Sequence, residues 1–167
     1  MAPASAAVIS AAQTTRPLRV LVAEDNPVNQ MLARRLLEKQ GHSVRIVGTG
    51  AAALEAVAGN AFDLVLMDWQ MPELDGLEAI ALIRAEERRL LATAATPPTG
   101  SSYAVACEAG RRIPILVLTA HAMRGDEDKC LAAGADGYLS KPIRRGELFA
   151  AAARLFSADV PAAAGHP

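Results

Sequence analysis

No apolar run in the 167-residue sequence reaches the roughly 18 residues that a membrane-spanning helix needs, so no membrane partner is expected. The opening stretch MAPASAAVISAAQTTR is Ala-rich but lacks a positive n-region and a Leu-rich segment. It reads as a flexible tail over residues 1–17, not as a signal peptide. A concentration of one charge is missing too. Formal net charge is −1, and the arginines are scattered, as in Arg34-Arg35, Arg88-Arg89, Arg111-Arg112 and Arg144-Arg145. Without a basic stripe, no nucleic-acid partner is expected. Cysteine is scarce: Cys107 and Cys130 make no metal-ligand spacing. They are expected as reduced thiols of a cytoplasmic protein, Cys107 in a loop and Cys130 packed on a helix. No internal repeat is evident. The length suits one well-buried core and is short for two ordinary domains.

What is present is a rhythm. Strand and helix signals alternate five times between Arg19 and Phe156. The strands are expected at Arg19–Ala23, Ser43–Val47, Phe62–Met67, Ile113–Leu118 and Ala135–Leu139. The first, third and fourth are nearly continuous apolar runs, as strands buried on both faces of a parallel sheet are. Asn26-Pro27 supplies an N-cap and a first-turn proline, with Val28, Met31, Leu32 and Leu36 expected to mark the inner face of that helix. Gly41 is expected to close it. Asp75 with Glu78 three residues on predicts a capped start for the third helix. Gly134 follows the fourth helix, and Leu148, Ala152 and Leu155 give the fifth its stripe. The fold class is therefore α/β: a five-stranded parallel doubly wound sheet, flavodoxin-like, strand order 2-1-3-4-5, with five helices. The folded domain spans 18–156. Within it, residues 91–110 are rich in Ala, Thr, Ser, Pro and Gly, and are expected to form a mobile inserted loop, since Pro97-Pro98 forbids a continuous helix. Residues 157–167 read as a second flexible tail.

In open parallel sheets ligands lie beyond the carboxyl ends of the strands. The polar residues that end the apolar runs are Glu24-Asp25, Asp68, Thr119 and Ser140-Lys141-Pro142. Each alone is a commonplace cap or surface group; four such sets at four strand ends are not coincidence. Three crowded carboxylates repel unless a cation is supplied. Oxygen ligands with open positions suit Mg²⁺ shared with a phosphoryl oxygen. An aspartate can attack phosphorus and form an acyl phosphate. Asp68, ending a central apolar strand, is the best nucleophile, and Glu24-Asp25 suits the metal. Lys141 and Thr119 are placed to neutralise charge on the equatorial phosphoryl oxygens.

The stretches VLVAEDNPVNQ, LVLMDWQMPELDG, LVLTAHAM and AGADGYLSKPI resemble the receiver domains of two-component response regulators, above all those attached to hybrid sensor histidine kinases. The likeness covers Arg19 to Phe156. It implies that Asp68 is the phosphoacceptor, that Glu24, Asp25, Asp68 and the backbone carbonyl of Gln70 hold Mg²⁺ (Mn²⁺ being an alternative), and that Lys141 binds the phosphoryl group. It further implies that Thr119 and Tyr138 form the switch and that Pro142 follows a cis peptide bond. The implied partners are a histidine kinase or histidine phosphotransfer protein, and a second copy of the chain through the fourth helix, fifth strand and fifth helix.

Such a protein is not an enzyme acting on outside substrates; it catalyses only its own phosphorylation and dephosphorylation. The rival is a Mg²⁺-dependent phosphatase of haloacid-dehalogenase type. That chemistry needs a second Asp two residues after the nucleophile, where this chain has Gln70. A DNA-binding regulator is a third class, and the eleven residues after Phe156 are too few for a helix-turn-helix. Of the lesser candidates, Trp69 is expected as a half-exposed aromatic beside the site. His121 stands two positions after Thr119 without an evident partner, and His42 and His166 look unlike phosphodonors, in a turn and a tail.

Overall fold

In the computed structural model, which describes residues 16–120 and 123–157, the apolar runs become β1 (Arg19–Ala23), β2 (Ser43–Val47), β3 (Leu64–Asp68), β4 (Ile115–Thr119) and β5 (Gly137–Ser140). All pair in parallel, in the order β2-β1-β3-β4-β5. The helices are α1 (Pro27–Glu38), α2 (Gly50–Gly59), α3 (Gly76–Thr93), α4 (Ser102–Glu108), α5 (Arg124–Ala133) and α6 (Arg145–Ser157). Among the described residues there are six of them where five were expected. The expected tails, except for Arg16, Pro17 and Ser157, lie outside the described residues, as do His121 and His166. Among the described residues, no helix is long and apolar enough to cross a membrane.

The unbroken apolar strands supply two cores, because successive side chains leave a strand on opposite faces. Leu21, Ala23, Val65, Met67, Ile115 and Val117 face one way, against Ala53 and Val57 of α2, Ile80 and Ile83 of α3, and Cys130 of α5. Val20, Val22, Leu64, Leu66, Leu116 and Leu118 face the other, against Ala33 and Leu37 of α1 and Leu148 and Ala152 of α6. The inner face of α1 is only in part the one its sequence suggested: Leu36 packs on the second core and Leu32 is half-buried, but the first two residues of the expected stripe are not inside. Val28 and Met31 are 75% and 54% exposed, and Ala33 and Leu37 take the buried positions, four residues apart. The helix leans on the sheet through its C-terminal half, leaving its first turn in solvent.

The expected mobile loop is the larger correction. Helix α3 ends at Ala94 in the left-handed conformation (φ 51°), and the chain passes Pro97-Pro98 and re-enters a helix at Ser102. Ser101 caps α4, its Oγ accepting from Ala104 N at 3.1 Å. Ser102 Oγ accepts from Phe62 N at 3.0 Å and donates to Asn60 O at 2.7 Å. Tyr103 and Ala106 enter the first core. Short hydroxyl side chains, which read as loop composition, here satisfy backbone groups where α2 hands over to β3. Cys107 accordingly sits on a helix, exposed, while Cys130 is buried and both thiols are free.

The N-terminal edge of the sheet is pinned by polar contacts. Asp63 accepts from Arg19 N at 2.8 Å and pairs with the Arg19 and Arg16 guanidiniums at 3.2 and 3.3 Å. His42, 6% exposed, accepts from Leu18 N through Nδ1 at 3.0 Å, which fixes its proton on Nε2. Burial lowers the His42 pKa from its ordinary 6.5. The unfolded chain therefore takes up a proton that the native state resists. His42 contributes stability above that ordinary value and loses it as pH falls toward the lower native one, at no more than roughly 1.4 kcal/mol per pH unit. The urea midpoint of the parent should fall between pH 7.5 and 5.5 more steeply than that of His42→Gln. Parallel profiles would remove His42 from the pH response.

Candidate functional site

Parallel pairing sends every strand's carboxyl end to one edge, and the register sets the neighbours there. Asp68 pairs with Leu118, and Thr119 with Ser140. Glu24 follows β1, held by its N–H to Val47 O at 3.0 Å and by Gln30 Nε2 donating to its carbonyl at 2.6 Å. Asn26 N donates to Glu24 Oε1 at 3.0 Å, turning that carboxylate toward the sheet edge. Lys141 N donates to Thr119 O at 2.8 Å, and the Lys141–Pro142 peptide is cis, as the resemblance implied. The Lys141 ammonium then reaches Asp68 Oδ1 at 2.7 Å and Glu24 Oε2 at 3.0 Å. Gln70 N donates to Asp68 Oδ1 at 3.3 Å, so the chain folds back over the carboxylate immediately after β3.

Glu24, Asp25 and Asp68 each bring a carboxylate oxygen within 4.8 Å of the others. Glu24 and Asp68 are buried and Asp25 is exposed, so the cluster opens to solvent on one side. Burial pushes the Asp68 pKa up to about 6, the Lys141 hydrogen bond opposing it and the Glu24 charge reinforcing it. Burial pulls Lys141 down, but its contacts with Asp68 and Glu24 prevail and its pKa is raised. One ammonium facing three carboxylates leaves a surplus of negative charge. The buried Glu24 Oε2 has no hydrogen bond beyond its approach to that ammonium. All-oxygen donors, crowded, under-neutralised and open on one side, fit a hard divalent cation.

Asp126, Glu73 and Gly76, not singled out in the sequence, complete the site. A cavity of about 200 Å³ is lined by Asp68, Trp69, Gln70, Thr119, Asp126 and Lys141. Asp126 comes from the first turn of α5, where a carboxylate favours the helix dipole and looks ordinary in sequence. The loop after Asp68 holds Glu73 at φ 69°, a left-handed conformation costly for a residue with a side chain. It ends in the capping box of α3: Asp75 Oδ1 accepts from Glu78 N at 2.8 Å, and Asp75 N donates to Glu78 Oε2 at 3.2 Å. Gly76 lies so close to the end of β3 that a Cβ there would meet Asp68 O at 2.0 Å and Asp68 C at 2.9 Å. Gly76→Ala should therefore cost about 3 kcal/mol in urea denaturation, with the Asp68 backbone displaced. A loss below about 0.5 kcal/mol, the range of an ordinary surface substitution, would mean that α3 simply shifts outward.

The profile of the response regulator receiver domain family matches residues 20–108. The chain belongs to that family. The sensor protein GacS of Pseudomonas syringae pv. syringae is 41% identical over 135 residues, which cover 81% of this chain and 13% of that protein. A probable histidine kinase of Oryza sativa subsp. indica is 38% identical over 135 residues, covering 75% of this chain and 14% of the relative. This receiver thus spans about one seventh of the curated relatives it matches. Among solved structures, the receiver domain of a sensor histidine kinase from Pseudomonas aeruginosa PAO1 is 34% identical with a TM-score of 0.61, covering 80% of this chain and 92% of that one. It carries a magnesium ion in its active-site cleft. A complex of a Saccharomyces cerevisiae histidine phosphotransfer protein with the receiver domain of its downstream response regulator aligns at 28% identity and TM-score 0.66, covering 79% of this chain and 83% of that one.

The sequence-predicted site residues of the receiver are thus brought to one edge. Glu24, Asp25, Asp68 and Lys141 cluster directly, while Thr119 and Gln70 line the adjoining cavity. Tyr138 is set back, half-buried and packed on the first core beside β4, where it pairs with Val117. Trp69 is half-buried and packs on the same core, its backbone N–H donating to Leu118 O at 2.9 Å.

Proposed function

We propose that this receiver is a phosphoacceptor in which Asp68 takes a phosphoryl group from a phosphohistidine of a histidine kinase or histidine phosphotransfer protein. The observation that carries the proposal is the convergence of three carboxylates and the Lys141 ammonium, from three strand ends, on one edge of the sheet. A carboxylate oxygen of Asp68 attacks phosphorus as the P–N bond to the donor imidazole breaks; the imidazole keeps the electron pair, takes up a proton and leaves neutral. Lys141 already holds Asp68 Oδ1 and is near enough to follow the phosphoryl charge. Thr119 and the backbone around Gln70 wall the space into which the group is delivered. Mg²⁺ or Mn²⁺ held by Glu24, Asp25, Asp68 and the Gln70 carbonyl would supply the remaining neutralisation of the equatorial oxygens.

The new charge on Asp68, about −1.5 to −2, favours movement of Thr119 toward it and an inward turn of Tyr138. The face built from α5, β5 and α6 is where a second copy or a target responds. No turnover of an outside substrate is involved, and Gln70 stands where a haloacid-dehalogenase-type phosphatase requires its acid. The free thiols of Cys107 and Cys130 support a cytoplasmic setting.

The test is transfer from a ³²P-labelled histidine phosphotransfer protein. Uptake is expected with Mg²⁺ or Mn²⁺ and is lost on chelation with EDTA, returning when either ion is restored. Equal uptake without a divalent ion would remove the metal from the scheme.

A further inference from the structure

One wall of the cavity of about 200 Å³ beside Asp68 is itself acidic. Asp126 lines it, together with Asp68, Trp69, Gln70, Thr119 and Lys141. This carboxylate stands apart from the metal-binding group: Glu24, Asp25 and Asp68 bring oxygens within 4.8 Å of one another, and Asp126 is outside that set. Glu24 and Asp25 do not line the cavity, so a cation they hold lies on one flank and Asp126 on another. The first turn of α5 favours an acidic residue through the helix dipole, which accounts for Asp126 and Glu127 equally. Their directions differ. Glu127 lines a separate cavity with Leu131, Tyr138 and Arg154.

Little answers the Asp126 charge. Its side chain is 22% exposed, and its ion-pair partner among the described residues is Lys129, at 4.0 Å and 66% exposed. So long and open a pair neutralises weakly. Lys141, the cation of the cavity, is already engaged by Asp68 at 2.7 Å and by Glu24 at 3.0 Å. A phosphoryl group on Asp68 extends from the strand end into this cavity, so its oxygens come nearer to Asp126 than the free carboxylate does. Charges in partly buried surroundings interact several times more strongly than in water. The phosphorylated state therefore carries a repulsion that the free carboxylate largely escapes.

We infer that Asp126 weakens the hold of the site on its phosphoryl group and makes phospho-Asp68 a ready donor back to an imidazole. In that return step the imidazole nitrogen attacks phosphorus, the P–O bond to Asp68 breaks, and Asp68 keeps the electron pair as a carboxylate. The inference rests on Asp68 as phosphoacceptor. It makes the receiver a relay that passes phosphate on, not a store.

Two measurements on the full chain test it. Beryllofluoride with Mg²⁺, an anion that caps the Asp68 carboxylate as a phosphoryl group would, is titrated by the fluorescence of Trp69. That residue is the single tryptophan of the sequence and lines the cavity. The transfer equilibrium with a histidine phosphotransfer protein is read from the ³²P on each partner. Asp126→Asn should tighten beryllofluoride about fivefold or more and shift the equilibrium toward the receiver by a similar factor. Asp126→Glu keeps the charge and should stay within about twofold of the parent. Glu127→Gln removes the same charge from the same turn outside the cavity, and should also stay within about twofold. The inference is overturned if Asp126→Asn binds beryllofluoride no tighter, or if Glu127→Gln tightens it as much. If phosphate arrives on Asp68 and Asp126→Asn retains it no better, the inference fails while the role of Asp68 stands. If none arrives, yet Asp126→Asn tightens beryllofluoride, the phosphohistidine donor is wrong and the role of Asp126 stands.

Discussion

Asp68→Asn is expected to abolish phosphoryl uptake while leaving the receiver folded. The substitution keeps the shape of the side chain and removes the negative charge that makes its oxygen a nucleophile. Nothing nearby can take over. Glu24 is as buried as Asp68 but does not line the cavity beside Thr119 and Lys141, and its Oε1 is held by Asn26 N, so an incoming phosphorus atom meets Asp68 there and not Glu24. Asp25 is exposed and follows β1, with β3 between it and Thr119 of β4, and it does not line the cavity that Asp68 shares with Thr119 and Lys141. Asn at position 68 also relieves the repulsion between two buried carboxylates, so the urea midpoint in chelator should stay level or rise. The measurement is intact-mass analysis after incubation with a phosphorylated histidine phosphotransfer protein, followed by peptide mapping. An added phosphoryl mass on the Asn variant, or a labile phosphate mapped to another residue of the parent, would displace Asp68 from its assigned role.

The site was legible because its chemistry follows directly on apolar runs. Glu24-Asp25, Asp68 and Thr119 each come at the end of a strand whose buried residues are unmistakable, Lys141 follows the short β5, and the parallel topology does the rest. The strand order and both cores were legible for the same reason. What stayed hidden depends on contacts between positions far apart. Helix α4 is 7 residues long, too short for a periodic stripe, and its Ser102 acts through partners 40 and 42 residues away. The outward turn of Val28 and Met31 follows from how α1 leans on the sheet, which its own pattern does not encode. Gly76 carries no mark in the sequence beyond following a capping aspartate; only the approach of α3 to the Asp68 carbonyl shows why a side chain cannot stand there.

Arg84 was hidden in the same way, and its loss should have the largest effect on stability. In sequence it is one arginine on a helix with several. In the fold its side chain is only 4% exposed, and every arm of the guanidinium is used. Nε donates to Gly134 O at 2.8 Å, Nη1 to both Glu87 oxygens at 3.0 and 2.9 Å, and Nη2 to Asp136 Oδ2 at 3.0 Å. Gly134, in the left-handed conformation at φ 108°, ends α5 with its backbone packed on the Arg84 side chain. Glu87 and Asp136 in turn accept from Ile113 N and Ile115 N, at 2.7 and 2.8 Å, where the chain enters β4. One cation thus ties α3, α5 and the starts of two strands. Arg84→Met fills the volume but strands the largely buried Glu87 carboxylate, while Asp136 keeps its pair with Arg112 at 2.6 Å; removing one partner of a buried pair costs about 3–5 kcal/mol. That is a large share of the roughly 5–15 kcal/mol that holds a domain together. Arg84→Lys should restore only part of it, because a single ammonium cannot serve three acceptors in the plane of the fork. Adding Glu87→Gln to Arg84→Met should recover stability, since the amide oxygen keeps the Ile113 N–H bond without a stranded charge. Urea denaturation of the four proteins decides the matter. If Arg84→Met loses less than about 1 kcal/mol, desolvation of the guanidinium already offsets its contacts, and the cluster fixes geometry without adding stability. Phosphoryl uptake by the folded Arg84→Met protein should be unchanged, because the network sits at the edge of the sheet opposite Asp68.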